Sequence, residues 1–223
     1  MGGAIIFFAF VFIALFFILF GINPGLAFSC VAVMLGILIF YRNYTLSQRL
    51  KKTNAKDLHI TNIEKGGVFK LTGVKGSTNE MTLKVLDKHL YQEGDFYWYE
   101  LECDKGEGEK VWVDVEDDDE VIVSIVLEKL SLNTINTNSS SLKKIDDEEI
   151  GSVSYKGTAF RYVESDEAIF YRSSDDSKKE KLYYWDFKNG PYSIGVEKWG
   201  INEYQVFYCQ QMKPSQVTVY SLR

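Results

Sequence analysis

The stretch Phe96-Tyr-Trp-Tyr-Glu100 recurs later in the chain as Tyr183-Tyr-Trp-Asp186. After a turn, the first stretch is followed by Val113-Asp-Val-Glu116 and the second by Ile194-Gly-Val-Glu197. Aromatic and β-branched residues that alternate with polar ones are typical of β-strands. The recurrence therefore predicts an antiparallel β-unit that is present twice in the chain.

Short alternating runs of the same kind surround both stretches, with turn residues between them. Lys105-Gly-Glu-Gly108 and Lys188-Asn-Gly-Pro191 have the composition of hairpin turns. The predicted strands are residues 68–74, 82–90, 96–103, 110–115, 121–128, 152–155, 159–163, 168–172, 181–187, 192–197, 204–209 and 217–221.

A polar run at residues 131–141 separates the two halves of this region. We predict a first β-unit over residues 63–130, a polar linker over 131–149 and a second β-unit over 150–223. Many short strands at regular spacing favour a β-sandwich or an open, barrel-like sheet. No stretch has the period of a long amphipathic helix.

Residues 1–41 differ from the rest because they contain no Asp, Glu, Lys or Arg, although the chain of 223 residues carries a net charge of -6. Two apolar runs, residues 2–22 and 25–41, approach the roughly 20 apolar residues that cross a bilayer as a helix. Pro24 and the glycines beside it form a turn between the runs. The predicted fold class is therefore mainly β, with an N-terminal transmembrane α-helical hairpin over residues 1–41 ahead of the duplicated unit.

A basic juxtamembrane linker, residues 42–62, follows the predicted hairpin. Its basic residues nearest the membrane are Arg42, Arg49, Lys51, Lys52 and Lys56. Because basic residues stay on the cytoplasmic side, we predict an inner (cytoplasmic) membrane protein whose soluble part faces the cytoplasm. A cleaved signal peptide is less favoured, since the N-terminus lacks basic residues and a second apolar run follows. Lipidation at Cys30 is a further alternative, although the usual leucine before the cysteine is missing.

The composition excludes several classes of protein. An acidic chain with a charge-free N-terminus is not a plain soluble enzyme, a nucleic-acid binder driven by overall basic charge or a disulfide-built secreted miniprotein. The histidines are His59 and His89, and without zinc-ligand spacing or a serine elbow we predict no metal, no cofactor and no nucleophilic catalysis. Cys103 and Cys209 are expected to be reduced, with one bridge between them as the alternative.

Two acidic runs contain the oxygen ligands that Ca²⁺ and Mg²⁺ prefer. They are Glu116-Asp-Asp-Asp-Glu120 and Asp146-Asp-Glu-Glu149. Neither run has the alternating spacing of a calcium loop, so we interpret the first as a solvated hairpin tip and the second as a charged loop.

The tryptophans and the acidic residues beside them form the candidate ligand or partner surface. Its members are Trp98, Glu100, Trp112, Trp185, Asp186, Glu197 and Trp199. These aromatic side chains serve either as sheet core or as a binding face, since Tyr and Trp suit both roles. Carboxylates beside aromatic rings suit a cationic ligand such as a polyamine.

The second half of the chain resembles a bacterial family known as domain of unknown function 4178. The matching segments are Tyr183-Tyr-Trp-Asp-Phe187, Ile194-Gly-Val-Glu-Lys-Trp-Gly200 and Glu203-Tyr-Gln-Val-Phe207. The first half is similar to the other pattern of the family, with Trp98-Tyr-Glu100 followed by Trp112-Val-Asp-Val-Glu116.

The similarity covers about residues 63–219, with Val113 and Lys198 as mild departures from the usual Leu and Arg. It implies an accessory protein of bacterial membrane-stress or polyamine-related gene clusters. The family has no assigned activity, so the resemblance implies no catalytic residue.

We therefore expect a membrane-anchored binding or scaffold module and not an enzyme. The expected partners are the lipid bilayer and either a protein or a small cationic ligand, with no nucleic acid. The alternatives are a membrane-tethered enzyme that uses Glu100, Asp186 or Glu197 as acid or base, and a sensor of cationic small molecules. Carboxyls that face one pocket, with a pKa raised by burial among aromatic rings, would favour the enzyme. Carboxylates at solvated strand ends would favour the scaffold.

Overall fold

The structure, a computed structural model, describes Gly21 and residues 58–78, 80–106, 108–117 and 120–223. These residues contain an antiparallel sheet of eleven strands and the helix α1, Ser139–Glu148. The strands are β1 Val68–Leu71, β2 Met81–Glu93, β3 Phe96–Asp104, β4 Lys110–Asp117, β5 Val121–Leu130, β6 Ser152–Tyr155, β7 Thr158–Tyr171, β8 Lys179–Asn189, β9 Tyr192–Trp199, β10 Glu203–Met212 and β11 Val217–Ser221. The described chain is mainly β, as predicted.

The sheet closes on itself. Its strand order is β11-β1-β2-β3-β4-β5-β10-β9-β8-β7-β6, and β7 pairs in addition with β2. This closing seam joins residues 90–92 to residues 169–171, and the Tyr171 hydroxyl donates a hydrogen bond of 2.7 Å to Gln92 across it. The strands from β2 to β5 and from β7 to β10 therefore form a closed barrel of eight strands, the arrangement that removes free sheet edges.

The barrel has two halves of the same design. Strands β2 to β5 form one meander and β7 to β10 form another, and the halves meet at the β5–β10 and β2–β7 pairs. A short strand precedes each meander as a hairpin partner, β1 in the first half and β6 in the second. Each leading barrel strand carries a β-bulge, at Leu86 in β2 and at Val163 in β7. The order of strands is thus the one that a duplicated unit requires.

The apolar side chains of the first half lie on the outer face of the barrel. Leu101 on β3, Val113 on β4 and Ile125 on β5 belong to one buried cluster. Phe69 of β1 and Ile63, which precedes it, cover that cluster from outside the barrel. Because alternate residues of a strand point to opposite faces, the remaining positions on these strands face the interior.

The second half repeats this arrangement with its own cover. Phe187 on β8 and Ile194 on β9 lie in a second buried cluster. Leu142 and Ile145 of α1 and Val153 of β6 complete the cluster from outside. Two layers of the hydrophobic core therefore lie outside the barrel wall, and a third, smaller cluster around Tyr91, Phe170 and Tyr184 lies beside the interior.

The N-terminal part of the predicted fold class needs correction. The hairpin predicted over residues 1–41 falls outside the described residues except for Gly21. Among the described residues, no helix has the length and the apolar character needed to cross a membrane. The described residues therefore have a mainly β fold and include no transmembrane hairpin, and the predicted localisation stays a prediction.

The polar linker predicted over residues 131–149 contains α1. Asn138 caps the helix by accepting a hydrogen bond of 2.9 Å from the Ser141 N–H. Leu142 and Ile145 are the buried residues of this helix, too few to give the sequence a clear helical period. The run Asp146-Asp-Glu-Glu149, interpreted above as a loop, mostly forms the last turn of the helix.

Replacing Trp185 by alanine should destabilise both halves together. Trp185 is 6% exposed in the second cluster, so the change should lower the free energy of unfolding by about 3–5 kcal/mol. Cys103 lies fully buried on β3 in the first half. Labelling of its thiol in increasing urea, read by peptide mass spectrometry, should therefore shift together with the circular dichroism of the whole chain. Tyr97, which is 44% exposed, provides the control: Tyr97→Ala should lower stability by less than about 1 kcal/mol. Two separate transitions in Trp185→Ala would contradict the shared barrel.

Candidate functional site

A cavity of about 560 Å³ lies inside the barrel, and we call it the main cavity. All eight barrel strands contribute to its wall. The side chains that give it its character are Tyr91, Trp98, Glu100, Asp114, Glu116, Glu164, Tyr184, Asp186, Glu197, Phe207 and Cys209. The wall is acidic and aromatic.

Strand alternation places the acidic residues of β3 and β4 inside. Asp114 and Glu116 line the main cavity, whereas Val113 and Val115 belong to the outer cluster. Glu100 lies directly opposite Asp114 in the strand register. Because successive side chains of a strand point to opposite faces, the acidic residues that alternate with valines all face the interior.

A β-bulge brings the end of β2 into the barrel. Before the bulge, Leu83 and Val85 lie in the outer cluster. The register shifts between Val85 and Asp87, and after it Tyr91 and Glu93 line the main cavity. The extra residue at Leu86 reverses which side chains point outward. The first part of β2 therefore contributes to the outer core and the last part to the cavity wall.

Eight carboxyl groups line the main cavity, among them Glu93 at the end of β2 and Glu120 just before β5. We call the other six the carboxyl cluster. They are Glu100, Asp114, Glu116, Glu164, Asp186 and Glu197. Within the described part of the chain, none of them lies within 4.0 Å of a Lys, Arg or His nitrogen. All except Glu197 also lack a hydrogen-bond partner there. Glu164 is exposed and the other five are half-buried. Carboxyl groups withdrawn from bulk water are normally paired or hydrogen-bonded, so this cluster is unusual.

Glu197 is held in place from two sides. The Tyr91 hydroxyl donates to one carboxyl oxygen at 3.2 Å, and the Trp199 indole N–H donates to the other at 3.0 Å. Both donors are neutral, so they fix the carboxyl group without balancing its charge. The orientation of Glu197 is thus set by neutral donors, and the charge of Lys129 lowers the pKa of Glu197 without a direct ion pair.

Burial raises the pKa of the carboxyl groups near Glu197. The pKa of Glu100 rises to about 8, first because the protein excludes water and then because of the charge of Glu197. The same desolvation raises the pKa of Glu197 to about 7, and its two hydrogen bonds oppose the rise. The pKa of Asp114 lies well above its usual range, again through burial and then through Glu100 and Glu197.

The other carboxyl groups of the cluster behave in the same way. Desolvation raises the pKa of Asp186 to about 8, with the charges of Glu164 and Glu116 as the next causes. The pKa of Glu116 and that of Glu164 are also raised by burial. Near neutral pH these carboxyl groups therefore retain protons that a carboxyl group in water would have lost.

Aromatic rings line the cavity beside these carboxyl groups. Tyr91 stacks on Trp98 with ring centroids 5.1 Å apart, and Tyr184 meets Trp98 edge-on at 6.0 Å. The Tyr184 hydroxyl donates to Glu93 at 2.5 Å. Faces of Trp and Tyr rings attract cations through their quadrupole, so the aromatic and the acidic parts of the wall favour the same kind of ligand.

A second chamber of about 300 Å³ adjoins the main cavity. The two spaces share Tyr91, Glu100, Glu197 and Phe207 in their walls. The second chamber has mixed charge because Lys129 lines it, with the ammonium 3.8 Å from the Trp112 ring centroid. The acidic excess is therefore concentrated in the main cavity.

The structure brings together most of the surface predicted from the sequence. Trp98, Glu100, Asp186 and Glu197 line the main cavity. Trp112 and Trp199 line the second chamber, which Glu100 and Glu197 also border. Trp185 is the exception, since it lies in the second outer cluster.

The recurrence of the two stretches aligns Trp98 with Trp185, and the structure shows that this alignment is wrong by one residue. Both lie on corresponding strands, β3 and β8, but on opposite faces of the sheet. Trp98 pairs with Glu116, and Tyr184 pairs with Glu197. Tyr184 is therefore the residue that corresponds to Trp98, because a shift of one residue exchanges the faces of a strand. The predicted correspondence of Glu116 with Glu197 agrees with these pairs.

The sequence analysis missed Asp114, Glu116, Glu164, Tyr91 and Tyr184 as site residues. Glu116 was interpreted as part of a solvated hairpin tip, yet it lines the main cavity. The sequence contains one indication of this position, because Trp112, Asp114 and Glu116 alternate with three valines. That pattern predicts one polar and one apolar face, and only the closed barrel shows that the polar face is the inside.

Other chemistry is not supported by the described residues. Among them no three His, Cys, Asp or Glu side chains converge as metal ligands do. Cys103 and Cys209 are free and buried on separate strands, as predicted. Burial raises the pKa of Cys209, which borders the main cavity, well above its usual range. Its thiol is therefore a poor nucleophile at neutral pH.

The fold and the site define a closed β-barrel protein with an acidic, aromatic-lined interior. Residues 72–214 match the family described as Domain of unknown function (DUF4178). The match spans more than half of the chain, so the protein belongs to this family and the resemblance seen in the sequence is confirmed. No curated protein and no solved structure matches the chain.

The free energy of unfolding should fall as the pH rises from about 6.5 to about 8.5. Glu100, Asp186 and Glu197 have a higher pKa in the folded chain, so the folded state binds more protons than the unfolded state in this window. His89 acts in the opposite direction because burial lowers its pKa, but only below about pH 6.5. We expect Tm to fall by at least about 4 °C across the window, which corresponds to about 1–2 kcal/mol.

Asp186→Asn should flatten this pH dependence and raise Tm at the alkaline end, since the amide cannot ionise. The control is Asp147→Asn, which removes an exposed charge on α1 and should leave the slope unchanged. A Tm that is constant or rises between about pH 6.5 and 8.5 in the unmodified chain would contradict the raised pKa values.

Proposed function

We propose that the protein is a binding module that takes up a positively charged organic molecule in the main cavity. The ligand is an ammonium ion with a small apolar body. The observation that carries the proposal is the carboxyl cluster: six carboxyl groups face one cavity, with no ion-pair partner among the described residues. A cation inside the barrel would supply the missing charge.

The physical chemistry of the wall fits such a ligand. An ammonium group donates several hydrogen bonds, and bonds between charged partners are roughly twice as strong as neutral ones. Trp98 and Tyr184 line the wall beside the carboxyl groups, and an aromatic ring that meets a cation contributes about 0.5–2 kcal/mol. A volume of about 560 Å³ lies within the usual range for small-molecule sites. These features favour a small ligand over a protein partner.

An organic cation fits better than a metal ion. Divalent cations require several oxygen ligands at about 2.0–2.6 Å from one point, and the described residues contain no such group. The carboxyl groups are instead spread over β3, β4, β7, β8 and β9. A molecule with spatial extent can meet several of them where a single ion cannot.

An acid–base enzyme is the second candidate, because one specific observation favours it. Glu197 and Asp186 face one cavity with pKa values of about 7 and about 8, near the operating pH that suits a general acid or base. This is the arrangement that the sequence analysis associates with the enzyme alternative. In that case the cation would be a substrate, and the protein would release it as a chemically different product.

Calorimetric titration of the full chain with n-butylammonium at about pH 8 should show saturable binding, tighter than at about pH 6 by at least about fivefold. Binding should strengthen with pH because the carboxyl groups must lose protons to pair with the cation. Repeating the titration in buffers of different ionisation enthalpy should show proton release. Magnesium and calcium chloride at the same ionic strength are the comparison.

Glu197→Gln should weaken butylammonium binding by about tenfold, the loss expected for one hydrogen bond to a charged group. The control Asp147→Asn removes an equal charge outside the barrel and should bind normally. Saturable Mg²⁺ or Ca²⁺ binding without amine binding would overturn the proposal. Proton NMR of the amine after long incubation separates the two candidates, since a binding module returns it unchanged.

A further inference from the structure

The carboxyl cluster is divided into two tiers along the barrel. Glu100 and Asp114 lie opposite each other in the strand register. Among the neighbouring charges, Glu197 has the strongest effect on the pKa of Glu100. We call Glu100, Asp114 and Glu197 the first tier.

The second tier consists of Glu116, Glu164 and Asp186. Glu116 follows Asp114 by two residues on β4 and faces the same way. Glu164 and then Glu116 are the charges that act most strongly on Asp186. Glu164 also lies directly opposite Asp186 in the strand register, so the second tier, like the first, contains a cross-strand pair of carboxyl groups.

The strand geometry gives the distance between the tiers. Two residues along an antiparallel strand span about 6.7 Å, which is about 5 Å along the axis of a barrel with strands tilted by about 40°. The other wall shows the same step, because Asp186 pairs with Gly195 and Glu197 is two residues further on. Two positive charges that meet both tiers must therefore be about 5–7 Å apart.

The space between the tiers is open and suited to methylene groups. A Cβ on Gly195 would meet only the Oδ1 atom of Asp186, at 3.6 Å, so this part of the wall is recessed. Trp98 lies opposite Glu116 and Tyr184 lies opposite Glu197, so each tier has one aromatic ring. Asp114 and Asp186, one from each tier, lie deep in the barrel without a hydrogen-bond partner among the described residues.

We propose that the ligand class of the main cavity is a short linear diamine, with one ammonium group in each tier and its methylene chain between the aromatic rings. This inference rests on the proposed function and specifies it. Each bond of an extended chain advances by about 1.25 Å, so a chain of three or four carbons separates its nitrogens by about 5–6 Å. A monoamine of the same length would satisfy one tier only.

The test is calorimetric titration of the full chain at about pH 8 with α,ω-diamines of about three to eight carbons, each compared with the n-alkylamine of equal length. The matched monoamine removes the contribution of the methylene groups. We expect the ratio of diamine to monoamine affinity to reach at least about tenfold at three or four carbons, since the second ammonium gains a charged hydrogen bond. The ratio should fall towards one for the longest chains.

Asp186→Asn removes one charge of the second tier and should reduce the ratio at four carbons to less than about threefold. Butylamine itself should still bind to this variant through the first tier. Asp147→Asn, outside the barrel, should keep both affinities and the ratio. Circular dichroism and Tm of each variant establish that the barrel is folded.

The outcomes separate this inference from the proposed function. Equal affinities of diamines and monoamines at every length would overturn the two-tier assignment and leave the cation site intact. A ratio that rises steadily to eight carbons would also overturn it, because the spacing would then be wrong. Absence of binding by every amine would instead overturn the proposed function itself.

Discussion

The barrel has its apolar faces turned outward, and the rest of the structure depends on this inversion. Leu101 and Val113 in the first half and Phe187 and Ile194 in the second are fully buried, yet they lie outside the barrel wall. Apolar surface of this size has to be removed from water, so each half needs a cover of its own. The first half is covered by β1 and its flanking segment, and the second by α1 and β6. Because these outer layers supply much of the hydrophobic stabilisation, the interior can accommodate polar side chains beside its smaller aromatic cluster.

The closing seam and the bulges turn this free interior into a cavity. Pairing of residues 90–92 with residues 169–171 completes the ring, and without it the carboxyl groups would line an open, hydrated sheet. The bulge in β2 lets one strand contribute Val85 to the outer core and Tyr91 to the cavity. Closure excludes water, and exclusion of water is the largest cause of the raised pKa of Glu100 and Asp186. The electrostatics of the site are thus a consequence of topology.

Much of this architecture follows from the sequence, and the limits have physical causes. The strands, the hairpin turns and the recurrence of the two stretches are local patterns, and the sequence predicts them well. Which face of a strand points into the barrel is not decided by the local sequence. Trp98 and Trp185 have the same sequence neighbourhood but point to opposite sides of the wall, since a single residue of register decides the face. From the sequence Glu116 looks like part of a solvated hairpin tip, whereas closure of the barrel places its side chain at the cavity wall. The two charge-free apolar runs within residues 1–41 predict a membrane hairpin, which the described residues do not include.

The carboxyl cluster has no ion-pair partner in the described part of the chain, and this is the strongest physical reason to expect a ligand. Desolvated carboxyl groups close to one another oppose folding at neutral pH, because either the charges repel or the protons must be retained. A barrel whose only role was structural would be more stable with Asp114 and Asp186 replaced by apolar residues of similar volume, since exchanging buried charges for well-packed apolar groups is often stabilising. Glu197, by contrast, is oriented by Tyr91 and Trp199, which shows that its position is organised and not left over from packing. The proposed cation would stabilise such an arrangement by pairing with the carboxyl groups. Folding and the proposed binding would then be linked through the same protons.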